Sequence, residues 1–300
     1  MYRLNRRCGA LAAAMLLSLA QVNAASAQNP DDAYSPGTGG KLLLTGGVTQ
    51  IEGAGGGGLT PWALIGGYGS RDQIGANAFY TRVDVDDYAL DAYGVMVGFY
   101  DRLELSYARQ SFDTQDVGAA LGLGRGFQFE QDIFGAKLKL VGDAVLEQDS
   151  WLPQIAIGIQ HKRNQQGAIV RAVGAEDDSG TDVYLSATKI FLEQSLLLSG
   201  TLRYTEANQI GILGFGGDRS SGSFEWEGSA AYLLTRQLAL GAEFRTKPDQ
   251  LGVAKEDLWW DVFLAWAPTR HVSVTLAYVD LGNVVVADQS GAYLSVQVGF

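Results

Sequence analysis

The sequence runs to 300 residues with 22 basic and 33 acidic side chains, a formal net charge of −11 at pH 7. That balance excludes nucleic acid as a partner and supplies no polybasic patch for an anionic lipid surface. Hydrophobic residues make up 47% of the chain, yet after residue 27 no uninterrupted apolar run approaches the roughly 18 residues of a spanning helix, so a membrane would have to be crossed by strands.

The chain opens with Arg3, Arg6 and Arg7, an apolar run from Gly9 to Ala20, and the small-residue site Ala25-Ser26-Ala27. This order predicts a secretory signal peptide over 1–27, followed by a short periplasmic leader over 28–40. Cys8, the single cysteine, leaves with the signal, so the mature chain carries neither disulfide nor thiolate chemistry.

From Lys41 onward apolar and polar residues alternate in runs separated by turn-forming segments. The pattern predicts strands over 41–52, 62–70, 73–83, 89–100, 102–113, 130–142, 152–163, 181–191, 195–205, 223–234, 237–246, 257–267, 271–281 and 291–300. That is an antiparallel up-and-down β-barrel spanning 41–300, with about fourteen strands and twelve as the alternative count. Short connections (70–73, 100–102, 191–195, 234–237, 267–270) alternate with mostly longer ones (53–61, 114–129, 164–180, 206–222, 247–256). Outer-membrane barrels carry this asymmetry, with short periplasmic turns and longer extracellular loops.

The outward phase holds Ile155, Ile157 and Ile159, then Leu196, Leu198 and Leu202, then Val272, Val274 and Leu276. Aromatics on that phase sort by depth. Tyr80, Tyr93, Tyr107, Phe134, Tyr204, Trp226, Phe244, Trp260 and Tyr278 fall toward the extracellular ends, and Phe99, Phe191, Tyr232, Trp266 and Phe300 toward the periplasmic ends. Two aromatic belts around an aliphatic band match the two interfaces of a bilayer, whereas a soluble core would not sort its aromatics by depth.

On the inward phase, two groups of charge are expected to face the lumen. One, in the extracellular half, is Arg203, Glu225, Glu227, Glu243, Arg245 and Asp261; the other, near the periplasmic end, is Glu104, Lys137 and Lys139. Both mix signs, which fits a ladder of cross-strand ion pairs better than a pore selective for one charge. What fills the lumen is not written in the alternation.

Other chemistry-bearing residues are sparse. His271 and Ser273 share a face, a spacing that suits a lipid-modifying triad, but they start a strand and point at the lumen, away from any acyl chain. The run Gly55–Gly58 lacks the Gly-Lys-Ser/Thr of a phosphate cradle and reads as a loop or a close-packing hairpin. Glu176, Asp177 and Asp178, with Asp182 nearby, form an acidic cluster that reads as a solvated loop tip rather than a calcium site. No catalytic residue, metal or cofactor is expected.

The chain ends on YLSVQVGF. Leu294, Val296, Val298 and Phe300 share one face, for which lipid is the covering layer, and the strand is expected to close the barrel by pairing with 41–52. With Tyr293, these residues look like the C-terminal signal read by the barrel-assembly machinery.

Several stretches form a familiar set: LLLTGGVTQIEG, GGGLTPWALIGGYG, GANAFYTRVDVDDYALDAYGV, YDRLELSYARQSFD, EQDIFGAKLKL and WLPQIAIGIQHKRN. They resemble a proteobacterial family of secreted proteins of unknown function regarded as outer-membrane β-barrels. The resemblance covers most of 41–163 and continues more loosely to Phe300, departing mainly in the loops after 164. It implies the fold and no activity, ligand or catalytic residue. The expectation is therefore a lipid-embedded barrel in the outer membrane, acting as a channel or semi-selective pore for a small solute. The alternatives are a structural or surface-interaction barrel with a blocked lumen and, further off, a lipid-modifying enzyme.

Overall fold

The computed structural model describes residues 41–252, 256–285 and 287–300. The signal peptide and leader predicted over 1–40 lie outside the described residues. Twelve antiparallel strands are formed: β1 (Ile74–Val85), β2 (Ala89–Phe99), β3 (Leu103–Asp113), β4 (Gln128–Val141), β5 (Gln154–Asn164), β6 (Ser179–Phe191), β7 (Leu196–Thr205), β8 (Ser223–Thr235), β9 (Leu238–Arg245), β10 (Trp259–Trp266), β11 (Val272–Val284) and β12 (Ala287–Gly299). Each pairs with its neighbours in sequence, and β12 pairs with β1 to close the sheet. Closure leaves no backbone edge unpaired, the condition for a sheet to live in lipid.

Period-2 alternation is what makes these residues a wall. Along β10, Trp259, Asp261, Phe263 and Ala265 are buried inside while Trp260, Val262, Leu264 and Trp266 face out. Along β5, Gln154, Gln160 and Lys162 point in and Ile157 and Ile159 point out. A one-residue slip would turn Asp261 of β10, or Gln160 and Lys162 of β5, against lipid, so the pattern pins the register.

The outer surface is apolar and banded. Tyr93, Phe134, Tyr204, Trp226, Phe244, Trp260 and Tyr278 are exposed toward one end, Tyr232 and Trp266 toward the other, and Val95, Leu105, Ile159, Leu185, Leu198 and Leu276 between them. In water so large an apolar surface would drive association, whereas in a bilayer it is the solvated face. No helix among the described residues is long and apolar enough to cross a membrane, and the closed sheet does the crossing. The protein is an outer-membrane β-barrel.

The connections 100–102, 192–195, 236–237 and 267–271 lie at the end where β1 begins, the periplasmic end by the short-turn rule. Residues 114–127, 165–178, 206–222 and 246–258 make the long loops opposite; they include two single-turn helices, α1 (Val117–Ala120) and α2 (Gly167–Ala172). Three connections depart from the expected alternation. Residues 86–88 form a short turn at the long-loop end, where β12 also follows β11 after two residues. Residues 142–153 are a long connection at the short-turn end, held by Lys189 Nζ donating to the carbonyls of Glu147 at 2.5 Å and Leu152 at 3.3 Å.

The count of fourteen strands is corrected to twelve, and the wall starts at Ile74 rather than Lys41. Segments 41–52 and 62–70, read as strands, lie inside the barrel. They form turns with two isolated bridges, Thr49 with Gly55 and Gly56 with Pro61. The closing partner of β12 is therefore β1, with Thr81 opposite Ser295, and not 41–52. The physical reason is width. A lumen between those of eight-stranded and sixteen-stranded barrels is too wide for wall side chains to fill alone, so it holds water or a piece of chain. Here Leu44, Val48, Trp62 and Leu64 pack on inward-facing Ile190, Leu197, Ala231, Ala239, Phe263 and Ala265, an apolar layer that an empty lumen would leave wet.

Candidate functional site in the barrel lumen

Segment 44–69 runs through the lumen without regular secondary structure, so its buried backbone groups need partners from the wall. Side chains from around the sheet supply them. Ser273 Oγ donates to Gly47 O at 2.7 Å, Gln110 Nε2 to Ile51 O at 2.9 Å, Thr201 Oγ1 to Pro61 O at 3.0 Å and Gln154 Nε2 to Ala63 O at 2.7 Å. Ala63 N in turn donates to Thr188 Oγ1 at 2.8 Å. Polar residues on the inward phase thus bind this inner segment in place of water.

Near the periplasmic end, Glu104 and Lys137 stand opposite each other on β3 and β4 and pair at 3.1 Å. The carboxylate accepts from Gly55 N at 3.0 Å and Gly66 N at 2.7 Å, while Lys137 Nζ donates to Gly55 O at 2.8 Å and Trp62 O at 3.1 Å. This one pair clamps both arms of the inner segment. The approach requires glycine at 55, because a Cβ there would stand 2.8 Å from Glu104 Oε2 and 3.3 Å from Lys137 Nζ. Lys139, expected beside them in the lumen, sits instead at the periplasmic rim, where it meets Asp101 at 2.8 Å and Asp143 at 3.4 Å.

The extracellular half holds a six-charge layer. Glu52 of the inner segment pairs with Lys162 and with Arg245, and lies 3.9 Å from Arg203 Nη2. Asp182 pairs with Lys162 at 2.7 Å and Arg203 at 3.1 Å; Glu227 pairs with Arg203 and, at 3.4 Å, with Arg245. Arg203 also lies over the Tyr184 ring at 5.0 Å. Three cations face three anions, all with side chains 0–5% exposed. The wall alone supplies three cations and two anions, so Glu52 completes the neutralisation.

The extracellular group read from the sequence does not form one cluster. Arg203, Glu227 and Arg245 join the six-charge layer. Glu243 holds the inner segment separately, accepting from Leu59 N at 2.7 Å and Thr60 Oγ1 at 2.9 Å, with Asp261 its cross-strand neighbour. Glu225 turns to the rim, accepting from Ser223 Oγ at 2.6 Å and from Thr246. Three members of the layer were missed: Glu52, hidden in a stretch read as wall; Lys162, at a strand end; and Asp182, grouped with the acidic loop. The inward apolar residues Leu197 and Phe263 were the legible signal that something covers the lumen wall.

The remaining candidates are placed as follows. Asp177 and Asp178 pair with Arg171 at 2.8 and 3.0 Å in the loop, away from Asp182 in the lumen, and no set of three His, Cys, Asp or Glu residues able to hold a metal occurs among the described residues. His271 donates from Nδ1 to Gly299 O at 2.8 Å and stacks on Phe300, while Ser273 is buried against Gly47, so the pair does not form a nucleophile and base. Gly56–Gly58 pack against the inner wall and the inner segment itself, with Gly58 beside Tyr293. In the terminal strand Leu294 is exposed, Val296 and Phe300 are half-exposed on the same face, Val298 is covered, and Tyr293 is buried toward the lumen. Phe300 O accepts from Ala76 N at 3.0 Å and from Tyr68 N at 2.8 Å, tying the C-terminus to both β1 and the inner segment.

A family model described as "Protein of unknown function (DUF3034)" matches residues 45–297. The chain belongs to this family. The match begins inside the barrel rather than at its wall, so it covers the inner segment as well as the sheet. Comparison with curated proteins gives no match. Among solved structures, the chain is similar to a KdgM porin in complex with disordered oligogalacturonate, at 11% identity, covering 75% of this chain and 99% of that one, with a TM-score of 0.49. It is similar to the COG4313 outer membrane channel from Pseudomonas putida F1 at 10% identity, covering 75% and 94%, with a TM-score of 0.49. The outer membrane phospholipase A from Escherichia coli is similar at 10% identity, covering 78% and 94%, with a TM-score of 0.42. Likenesses at this level assign no activity.

Proposed function

We propose that the protein is a gated outer-membrane channel for small polar solutes, held closed by its own segment 44–69. The observation that carries this reading is Glu52, a buried anion on the inner segment that neutralises an otherwise cationic layer of the wall. Such an anchor holds while paired and lets go when a competing anion or an external pull satisfies Lys162 and Arg245 instead. Beside the apolar layer of the wall, the opened lumen would expose the polar groups Gln110, Gln160, Thr188, Thr201, Ser273 and Gln297. A permanently sealed barrel that binds through its long loops is the second reading, favoured by the number of wall side chains engaged with the inner backbone.

Planar-bilayer conductance separates the two. Wild-type protein is expected to be silent at low voltage, and Glu52→Gln, verified as folded by its heat-modifiable band, to show stepwise current. A folded Glu52→Gln variant and a folded variant lacking 44–69 that both stay silent at every voltage would overturn the channel reading and leave the sealed barrel.

A further inference from the structure

At the periplasmic rim two local irregularities meet. The turn between β2 and β3 closes with Arg102 N donating to Phe99 O at 2.9 Å, and its central residues, Tyr100 and Asp101, have φ of 55° and 51°. Two left-handed residues in succession suit Asn-Gly rather than tyrosine and aspartate. On β4, beside β3, the register shifts between Lys139 and Val141, so Leu140 is a bulge and the consecutive Leu140 and Val141 are both exposed. Between turn and bulge lies an open groove of about 480 Å³, lined chiefly by Arg71, Tyr100, Arg102, Lys139, Leu140 and Val141. That volume is within the roughly 300–1,000 Å³ of small-molecule sites.

The groove is amphipathic, and its charge does not balance. Asp101, also in its lining, is matched by Lys41 and Lys139, each at 2.8 Å; Asp143 is matched by Lys139 at 3.4 Å and Arg71 at 3.5 Å. Arg71 is 74% exposed, so its pair with Asp143 holds it weakly. Arg102 is exposed, and its side chain makes no hydrogen bond or ion pair among the described residues. The lining side chains and their ion-pair partners thus carry four cations against two anions, in a chain whose formal net charge is −11.

We propose that this groove binds the headgroup of an anionic glycerophospholipid, such as phosphatidylglycerol, from the periplasmic leaflet. Arg71 and Arg102 take the phosphate, whose oxygens match the fork of a guanidinium. Tyr100 stands at headgroup depth, as interfacial aromatics do. The acyl chains continue over Leu140 and Val141 onto Leu103 and Leu138, an outward-facing pair directly opposite each other on β3 and β4. That apolar continuation favours a lipid over a soluble phosphate. The site needs no polybasic patch, because two charges left over from the protein's own carboxylates select the anion. It lies outside the lumen and is independent of conduction.

The test is native mass spectrometry of the full mature protein released from nonionic detergent. It is titrated with phosphatidylglycerol and phosphatidylcholine of the same acyl chains, and with glycerol 3-phosphate as a headgroup without chains. Wild type is expected to bind one phosphatidylglycerol saturably and about fivefold or more tighter than phosphatidylcholine, the effect of at least one arginine at a lipid surface. Arg71→Gln/Arg102→Gln is expected to weaken phosphatidylglycerol about five- to thirtyfold and bring the two lipids within about twofold. Arg236→Gln/Arg270→Gln removes the same charge from exposed residues elsewhere on the rim and is expected to leave the preference within about twofold of wild type. Equal affinity of wild type for the two lipids would overturn the proposal. So would a preference that survives Arg71→Gln/Arg102→Gln, or one lost equally in Arg236→Gln/Arg270→Gln. Displacement of phosphatidylglycerol by equimolar glycerol 3-phosphate would overturn the lipid assignment in favour of a soluble phosphate. Should the Arg71→Gln/Arg102→Gln barrel fail to fold, wild type decides alone: its preference is expected to shrink as ammonium acetate rises from about 0.05 to 0.5 M, and a constant preference would overturn the proposal.

Discussion

Glu52 and Lys162 stand 110 positions apart and meet as an ion pair with both side chains fully buried. One belongs to the segment inside the barrel and the other to β5, so the contact joins wall and filling. Buried ion pairs add little net stability over apolar replacements, but an unpaired survivor is costly. Glu52→Gln leaves three cations facing Asp182 and Glu227. A loss of about 3–5 kcal/mol is expected, read as a lower denaturant midpoint for unfolding from lipid. Adding Lys162→Met leaves two cations facing two anions, so the double variant should be more stable than the sum of the single losses. Strict additivity in that cycle would show that the pair is not coupled.

Glycine is required where the inner segment meets the Glu104–Lys137 clamp. Gly55→Ala is expected to cost about 1–3 kcal/mol, because the added methyl forces the clamp apart and its hydrogen bonds to Gly55 and Gly66 with it. Gly200→Ala on β7 is the control: its added methyl meets nothing within 4 Å, and unfolding should be unchanged or slightly harder. Equal midpoints for the two variants would count against the clamp.

The placement of His271 and Ser273 predicts no role in lipid chemistry. Replacing both with alanine should leave the phospholipid and lipid A profile of the cell unchanged, as judged by mass spectrometry. Ser273→Ala alone should still lower stability by about 0.5–1.5 kcal/mol, because Gly47 O loses a buried donor. An altered lipid profile from a folded double variant would reopen the enzymatic reading.

Phe300 contributes through its backbone as well as its ring. Deleting it removes the carbonyl that receives Tyr68 N and Ala76 N, the N–H that donates to Ala76 O at 2.8 Å, and the ring on His271. Phe300→Ala removes only the ring. Deletion should therefore lower the heat-modifiable protein in the outer membrane more than Phe300→Ala does. If the two fall equally, recognition of the ring by the assembly machinery outweighs closure of the barrel; wild-type levels for both would remove the terminal residue from assembly altogether.

The wall was legible residue by residue. Whether Ile157 or Gln160 faces lipid is decided by its own polarity against a solvent that covers every second position, so the alternation alone yields the strands, their phase and the belts. The inner segment was not, and LLLTGGVTQIEG shows why. Inside a closed barrel both faces of a segment are covered, so apolar and polar residues are buried alike and period 2 carries no sign of which side of the sheet the chain lies on. Glu52 looked like a strand terminus, and only the folded barrel brings Lys162, Arg203 and Arg245 around it. The sequence by itself determined that this protein is a sheet solvated by lipid, because that is a local test repeated along each strand. Tertiary structure decided that the sheet has twelve strands, closes on Ile74–Val85 and is filled by its own N-terminal segment, because a lumen of that width is filled only by groups brought together from distant parts of the chain.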